Sequence, residues 1–241
     1  MMTQNLLLAA LPCDARDRLA RHMRTVDLPH GRVLHRPNQA IDTVYFPLDC
    51  LISITVAMAE GRTVEAGAVG SREMVGLNAF MGGRETNQTE YVCQVAGAAV
   101  RMAAGPLLDE FDRVKGVRDV LLRFVQAYLA QLSQNVACNR VHTVEQRLAR
   151  WLLEARDRVG PDGLGVSHQF VAQMLGVRRA GVTEAASALQ GRGLIECGHR
   201  ALRVTDPVGL GHASCECFGV LREEYDRLLG PLVAANRQPV G

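Results

Sequence analysis

The sequence predicts an α+β fold in three consecutive parts: a jelly-roll-like β-roll, a long helix, and a small helical domain with a two-stranded wing. Short β-branched stretches broken by Gly and Pro fill residues 27–102, which is typical of many short strands. Apolar residues then recur at helical spacing over 107–141. Two short amphipathic segments flank a glycine within 167–190, and two short strands follow.

The first domain, residues 1–106, is predicted to contain one N-terminal helix over 1–25 followed by a barrel or sandwich of strands. Strands are expected at 51–56, Thr89–Val95 and 98–102, with a hairpin turn at Glu60-Gly61. A short helix or turn is expected between them, over 73–80. The 241-residue chain is long enough for two domains that each bury a core of their own.

A single long helix, the second part at residues 107–142, is predicted to start after Gly105-Pro106. Its apolar stripe is longer than a small domain needs, so we expect it to pack on a second copy of the chain. An ordinary core helix would show the same pattern. The stripe, which is the predicted dimer interface, consists of Val117, Leu121, Phe124, Tyr128, Leu132 and Val136.

The third part, residues 143–241, is predicted to open with a capping box in which Thr143 and Gln146 satisfy each other's backbone donors. Thr143 would then be a hinge between the long helix and a new helix that ends near Val159. Near the C-terminus, Asp206-Pro207 is expected to start one further helix that continues to Gly230-Pro231.

A winged helix-turn-helix is predicted between these two helices, over about 167–205. Ser167 is a suitable N-cap for a first helix, Gly176 supplies the sharp turn, and a second helix follows from Arg179. The stretches 194–197 and 202–205 form the wing. The combination predicts DNA binding, with the outer N-terminal end of the second helix in the major groove.

The predicted DNA-contacting side chains lie at helix N-termini, on the outer face of the second helix and at the wing tip. Arg179 can donate two hydrogen bonds to guanine O6 and N7, and Arg178 can reach a base or a phosphate. The side chains at the start of the first helix are suited to phosphate. The full predicted set is Ser167, His168, Gln169, Arg178, Arg179, Thr183, Glu184 and Arg200.

The order of parts and the stretch SHQFVAQMLGVRRAGVT, residues 167–183, resemble the CRP/FNR family of transcription factors. The resemblance implies a homodimer that binds a pseudo-palindrome, with Arg179 reading guanine and Gln169 on phosphate. Ala180 replaces the family's acidic reader, and Glu184 replaces a second arginine. The DNA target is therefore expected to differ from that of well-known members.

The β-roll departs from the cyclic AMP cassette of that family. Gly76 and Leu77 match it, but Met74 falls where a carboxylate would hold ribose. Gln88, followed by Thr89, stands near the position of the phosphate-binding arginine, so a charge-assisted contact is lost. We expect no tight cyclic AMP binding. These five residues are the candidate pocket for an unidentified small-molecule effector.

The seven cysteines are scattered and no secretion signal is recognised, so disulfides are not expected. Cys13 is alone near the N-terminus, which excludes a local iron–sulfur cluster. Cys215 and Cys217 are predicted on one helix at i,i+2, where they would point to different faces. Neither a metal site nor a cofactor is therefore predicted. A ligand-independent regulator and a redox- or haem-responsive one remain alternatives.

An enzyme is disfavoured because the sequence has no nucleophile elbow, Walker loop, HExxH or dinucleotide-binding glycine pattern. Charged residues make up 22% and the net charge is only +2, so bulk charge does not by itself indicate nucleic acid. The expected partners are double-stranded DNA, a second copy of the chain and RNA polymerase. No membrane segment is expected, and the predicted location is the cytoplasm.

Overall fold

The computed structural model describes residues 4–61, 63–83, 85–86, 88–160, 164–198 and 202–237. It confirms the α+β architecture: antiparallel sheets come first, then a long helix, then a helix-turn-helix with a two-stranded wing. The predicted wing-tip residue Arg200 lies outside the described residues. Within those residues, no helix is both long and apolar enough to cross a membrane.

The N-terminal helical region consists of two helices instead of the single predicted one. Helix α1 (Leu6–Ala10) is capped by Asn5, whose side chain accepts from the Leu8 amide at 3.0 Å. Pro12 is extended and separates it from α2 (Cys13–Ala20). The first strand then begins at Arg24.

Among the described residues of the β-roll, nine strands follow and pair in antiparallel fashion. Their bounds are β1 (Arg24–Leu28), β2 (Val33–His35), β3 (Gln39–Ala40), β4 (Thr43–Pro47), β5 (Leu51–Ala57), β6 (Thr63–Val69), β7 (Glu85–Thr86), β8 (Thr89–Val95) and β9 (Gly97–Ala103). They form sheets ordered β1-β9-β4 and β2-β8-β5-β6, with β3 and β7 as a separate pair. A 3₁₀ helix at Leu77–Phe80 occupies the predicted helix-or-turn segment. Phe46, Ile52 and Tyr91 are buried in the core between the sheets and the helices.

The long helical segment is divided into α3 (Ala104–Arg113) and α4 (Lys115–Val141). The predicted single helix was wrong in two respects. Val114 is extended and interrupts the segment, and the helix starts before Pro106. Pro106 is tolerated there because the first turn of a helix has no carbonyl partners for its N–H groups.

Most residues of the predicted dimer interface are buried in the core of a single chain. Val117, Leu121 and Phe124 are fully buried and Tyr128 is nearly so, while Leu132 is partly buried. These side chains face the β-roll and the last helix, so a second chain cannot reach the four buried ones. Of the predicted set only Val136, at 73% exposure, lies fully on the outside.

The C-terminal part begins with α5 (Val144–Val159), and its predicted capping box between Thr143 and Gln146 is confirmed. The remaining elements are α6 (His168–Leu175), α7 (Arg179–Gly191), β10 (Ile195–Cys197), β11 (Leu202–Val204), α8 (Pro207–Ala213) and α9 (Cys217–Arg237). The last two replace the single helix predicted from Asp206-Pro207. Helix α9 also continues through Pro231 instead of ending there.

Helix α9 packs on α1 and α4. Tyr225, Leu228 and Leu229 on α9 belong to the hydrophobic core of the β-roll half. The chain therefore crosses back from the helix-turn-helix to the first domain. The predicted division at residues 106 and 142 stays a prediction, but its third segment contributes a helix to the core of the first.

Candidate nucleic-acid interface

The helix-turn-helix is built from α6, a glycine turn and α7. Ser167 caps α6 as predicted, since its hydroxyl accepts from the Phe170 amide at 3.2 Å. Gly176 has φ of +63°, in the left-handed region that favours glycine, and it turns the chain within one residue. Val171 and Val182 are fully buried between the helices, which fixes the angle between α6 and α7.

Two arginines stand at the start of α7. Arg178 is the extended N-cap and Arg179 the first helical residue, and both side chains are exposed. Among the described residues neither guanidinium has an ion-pair partner. Both donors are therefore free to bind an anionic or acceptor-rich ligand. The exposed backbone N–H groups of the same helix terminus add a positive partial charge.

The other predicted contact residues surround this terminus. Gln169 lines the same cleft as Arg178 and Arg179. His168 Nδ1 lies 3.3 Å from Thr183 Oγ1, and that hydroxyl donates to the Arg179 carbonyl at 3.1 Å. These contacts link the first turns of the two helices. Ser167 and Glu184 are exposed on the same two helices, at the N-cap of α6 and one residue beyond Thr183.

The wing follows directly on α7. Strands β10 and β11 pair antiparallel, with Ile195 opposite Val204. Thr205 Oγ1 donates to the Gly193 carbonyl at 2.7 Å and closes the base of the hairpin. The role predicted for Arg200 concerns a residue outside the described part of the chain.

The helix-turn-helix rests against the β-roll. Ser53 Oγ on β5 lies 3.4 Å from Met174 Sδ on α6, and Trp151 Nε1 on α5 donates to Glu65 Oε1 at 3.4 Å. The Ser53 hydroxyl also donates to Glu65. Burial raises the pKa of Glu65 to about 7, despite these hydrogen bonds and the attraction of Arg158.

The five residues predicted for an effector pocket do not form one. Met74 is fully buried and Leu77 nearly so, both in the core of the β-roll. Gly76 has φ of +96° and packs closely against Ile41 and Val44. By contrast, Gln88 is exposed and Thr89 half-buried at the start of β8. Only a rearranged β-roll would bring all five residues around one ligand.

Sequence reasoning missed the buried carboxylate next to Met74. Glu73 Oε1 lies 3.1 Å from Arg158 Nη2, and Glu73 Oε2 accepts from the Gly70 amide at 2.6 Å. The Glu73 carboxylate thereby binds both its own loop, through the Gly70 amide, and Arg158 on α5. The two partners are 85 residues apart in the sequence, so no local sequence pattern predicts that they form an ion pair.

Sequence reasoning also missed a cluster of four potential metal ligands. Cys215 and Cys217 were predicted on one helix with diverging side chains, and this was wrong. They lie at the junction of α8 and α9, beside Cys138 and His142 at the end of α4. The available signals were the i,i+4 spacing of Cys138 and His142 and the close pair Cys215 and Cys217.

The fold and the exposed surface define a winged helix-turn-helix protein joined to a β-roll. Residues 146–213 match the Crp-like helix-turn-helix domain. Among curated proteins none matches the chain. The chain therefore carries a Crp-like helix-turn-helix domain, and its fold is similar to that of solved CRP/FNR-family regulators.

Three solved structures illustrate the likeness. FixK2 from Bradyrhizobium japonicum is 15% identical, with a TM-score of 0.68 over 80% of this chain and 98% of that one. TTHB099, a CRP-family regulator from Thermus thermophilus, is 18% identical, with a TM-score of 0.64 over 78% and 96%. The c-di-GMP-responsive regulator CLP from Xanthomonas campestris is 18% identical, with a TM-score of 0.59 over 79% and 98%.

Proposed function

We propose that this protein is a sequence-specific transcription regulator that binds double-stranded DNA as a homodimer. The observation that carries the proposal is the arginine pair, Arg178 and Arg179, at the exposed start of the second helix of a Crp-like helix-turn-helix. In such motifs this end of the helix enters the major groove. Arg179 has the geometry for guanine, while Gln169 and Ser167 are suited to the adjacent phosphate.

The homodimer is supported by an exposed apolar face of α4, which includes Leu132 and Val136 of the predicted stripe but not its four buried residues. Leu122, Leu129 and Val136 are 49%, 54% and 73% exposed. They are seven residues apart, and the partly buried Leu132 lies three positions after Leu129. This is the a/d spacing of a coiled coil, in which each apolar side chain inserts between residues of the facing helix. Parallel pairing of α4 would place two copies of α7 to read a pseudo-palindromic site.

Selection from a randomised DNA pool, followed by gel shifts, tests the function even though the target sequence is unknown. We expect enrichment of a two-fold symmetric sequence and an affinity that falls steeply with salt, because phosphate contacts release counterions. A single half-site of the same sequence is the matched control and should bind more weakly. No enriched sequence, or binding that is insensitive to salt, would refute the proposal.

The β-roll is not expected to bind cyclic AMP tightly. Glu73 is already paired with Arg158, and Met74 points into the core where a ribose-binding carboxylate would be needed. Calorimetry should detect no micromolar binding of cyclic AMP. A regulator controlled by another effector, or by none, fits the same residues. A DNA-bound regulator would work in the cytoplasm and act on RNA polymerase.

A further inference from the structure

The cluster at the end of α4 brings three thiols and one imidazole to a single point. The three Sγ atoms of Cys138, Cys215 and Cys217 and a ring nitrogen of His142 all lie within 4.8 Å of one another. Two of the separations are shorter: Cys138 Sγ to Cys215 Sγ, and Cys217 Sγ to His142 Nδ1, are both 3.6 Å. All three cysteines are buried and form a cluster separate from both hydrophobic cores.

Local backbone structure explains the convergence. Cys138 lies in the last turn of α4, and His142 is its C-cap residue four positions later, so both project from one side of the helix end. Ser214 ends α8 in an extended conformation, and α9 starts at Cys217. Cys215 and Cys217 therefore flank a turn and can point to the same place, which an i,i+2 pair on a helix cannot.

The groups around the cluster orient its ligands. His142 Nε2 lies 3.2 Å from Glu216 Oε2, which leaves Nδ1 facing the sulfurs. A carboxylate behind a histidine is the usual second partner of a metal-bound imidazole. On the other side, Gln134 Nε2 donates to Cys217 Sγ at 3.0 Å, a contact that stabilises a thiolate.

Positive charge is buried beside the sulfurs. Arg150 lies within electrostatic range of all three thiols, and Arg147 within range of Cys138 and Cys215. The Nε atoms of both arginines are buried and have no hydrogen-bond partner among the described residues. Arg150 Nη1 has an anionic partner in Glu154 Oε1, 2.9 Å away. Arg147 has no ion-pair partner among the described residues, and a buried cation requires a nearby anion. Three thiolates, one neutral imidazole and a divalent metal carry a net charge of −1, which Arg147 would balance.

We propose that Cys138, His142, Cys215 and Cys217 bind one Zn²⁺ ion in a tetrahedral Cys₃His site. Two sulfurs bound to zinc at about 2.3 Å in a tetrahedron lie about 3.8 Å apart, close to the 3.6 Å between Cys138 Sγ and Cys215 Sγ. A [4Fe–4S] cluster requires wider spacing, because each of its thiolates binds a different iron atom. On binding, the thiols lose their protons to solvent. With four protein ligands the site is closed, which is typical of structural zinc.

The position of the zinc site would let the ion link two separate parts of the chain. Two ligands belong to the end of α4, immediately before the Thr143 hinge, and two belong to the junction that follows the helix-turn-helix. The ion would cross-link the long helix to the far end of the DNA-binding part. Metal occupancy would thereby restrict motion of the proposed DNA-binding surface relative to the proposed dimer helix.

The test uses the full-length protein, purified without oxygen, reconstituted with Zn²⁺ and desalted. We expect one zinc per chain by elemental analysis and release of that zinc when a mercurial blocks the thiols. Co²⁺ in place of zinc should give the absorption of a tetrahedral thiolate site. A reconstituted wild-type protein that retains less than about one tenth of an ion per chain would overturn the proposal.

Variants identify the ligands. Cys215→Ser and Cys217→Ser should each weaken zinc binding by more than about 100-fold, and Glu216→Gln by about 10-fold, as expected for a ligand and for its supporting carboxylate. Cys13→Ser, outside the cluster, is the control and should bind like wild type. Equal binding by all of these variants would overturn the assignment. So would a Cys138–Cys215 disulfide that forms in the zinc-treated protein and excludes the metal. Zinc content is measured without DNA, so this proposal and the proposed function can fail separately.

Discussion

Arg158 Nη2 on α5 lies 3.1 Å from Glu73 Oε1 in the β-roll, and both side chains are almost completely buried. Arg158 Nη1 also contacts Glu154 on the same helix at 3.3 Å. The ion pair fixes α5 to the loop that follows β6. The contact between the two halves of the chain therefore rests on a pair of buried charges as well as on apolar packing.

Removing one member of this pair should strongly destabilise the protein. We expect Arg158→Ala to lower the free energy of unfolding by about 3–5 kcal/mol, because Glu73 would be left as an unpaired buried charge. Urea unfolding followed by tryptophan fluorescence would measure the loss, since Trp151 lies on the same helix. Arg227→Ala removes a surface pair with Glu224 and should change the free energy of unfolding little, because solvent screens exposed charges. Similar losses in both variants would contradict this interpretation.

Replacing Arg179 should relax one base position of the DNA target. We expect Arg179→Ala to weaken binding to the selected site by about 1–3 kcal/mol and to lose the preference for guanine there. Arg21→Ala removes the same charge in the β-roll half and should leave affinity and preference unchanged. Selection repeated with each variant provides the measurement. A variant at Arg179 with an unaltered base preference would show that this residue binds only phosphate.

A charged residue introduced on the exposed face of α4 should make the proposed dimer dissociate into single chains. Leu129 is 54% exposed in one chain, so Leu129→Glu should leave the fold intact while burying a carboxylate at the proposed interface. We expect the native mass to fall to that of one chain. Val208→Glu, also at an exposed apolar residue, is the control and should retain the mass of the wild type. A dimeric Leu129→Glu protein with normal affinity would refute the proposed interface.

The burial of Glu65 should make stability dependent on pH. The pKa of Glu65 is raised from 4.5 to about 7, so between these values the folded state holds a proton that the unfolded state has lost. The free energy of unfolding should therefore fall as pH rises through this window, by at most about 1.4 kcal/mol per pH unit. Above about pH 7 this contribution should level off.

Glu65→Gln isolates this effect from other titrations. Glutamine keeps a carbonyl that can accept from Trp151 and Ser53, but it does not ionise. Denaturation of both proteins at about pH 5 and about pH 8 should show the wild type losing more stability than the variant. A parallel decline in the two proteins would assign the pH dependence to other groups.

Local patterns in the sequence predicted the helix-turn-helix well. The Ser167 cap, the Gly176 turn and the Thr143–Gln146 capping box each depend on residues a few positions apart. Such features follow from backbone hydrogen bonding and steric limits, which neighbouring residues decide. The arginines at the start of α7 could be assigned to the outer surface for the same reason, because helical periodicity separates an inner from an outer face.

Long-range packing decided which face of α4 is buried within the chain, which helical periodicity alone could not predict. The stripe from Val117 to Tyr128 has the spacing of an interface, but the β-roll and α9 bury it within one chain. Heptad spacing alone does not tell which of two apolar faces is left for a partner. The path of α9 back to the first domain decided this, and it left Leu122 and Leu129 outside.

The sequence by itself determined the class of fold, the DNA-reading motif and its cap and turn residues, since these depend on short-range geometry. Only the tertiary structure brought Glu73 to Arg158 and gathered Cys138, His142, Cys215 and Cys217 at one point. The members of each set come from segments more than seventy residues apart. Their meeting depends on how helices and sheets pack, which no local pattern of residues encodes.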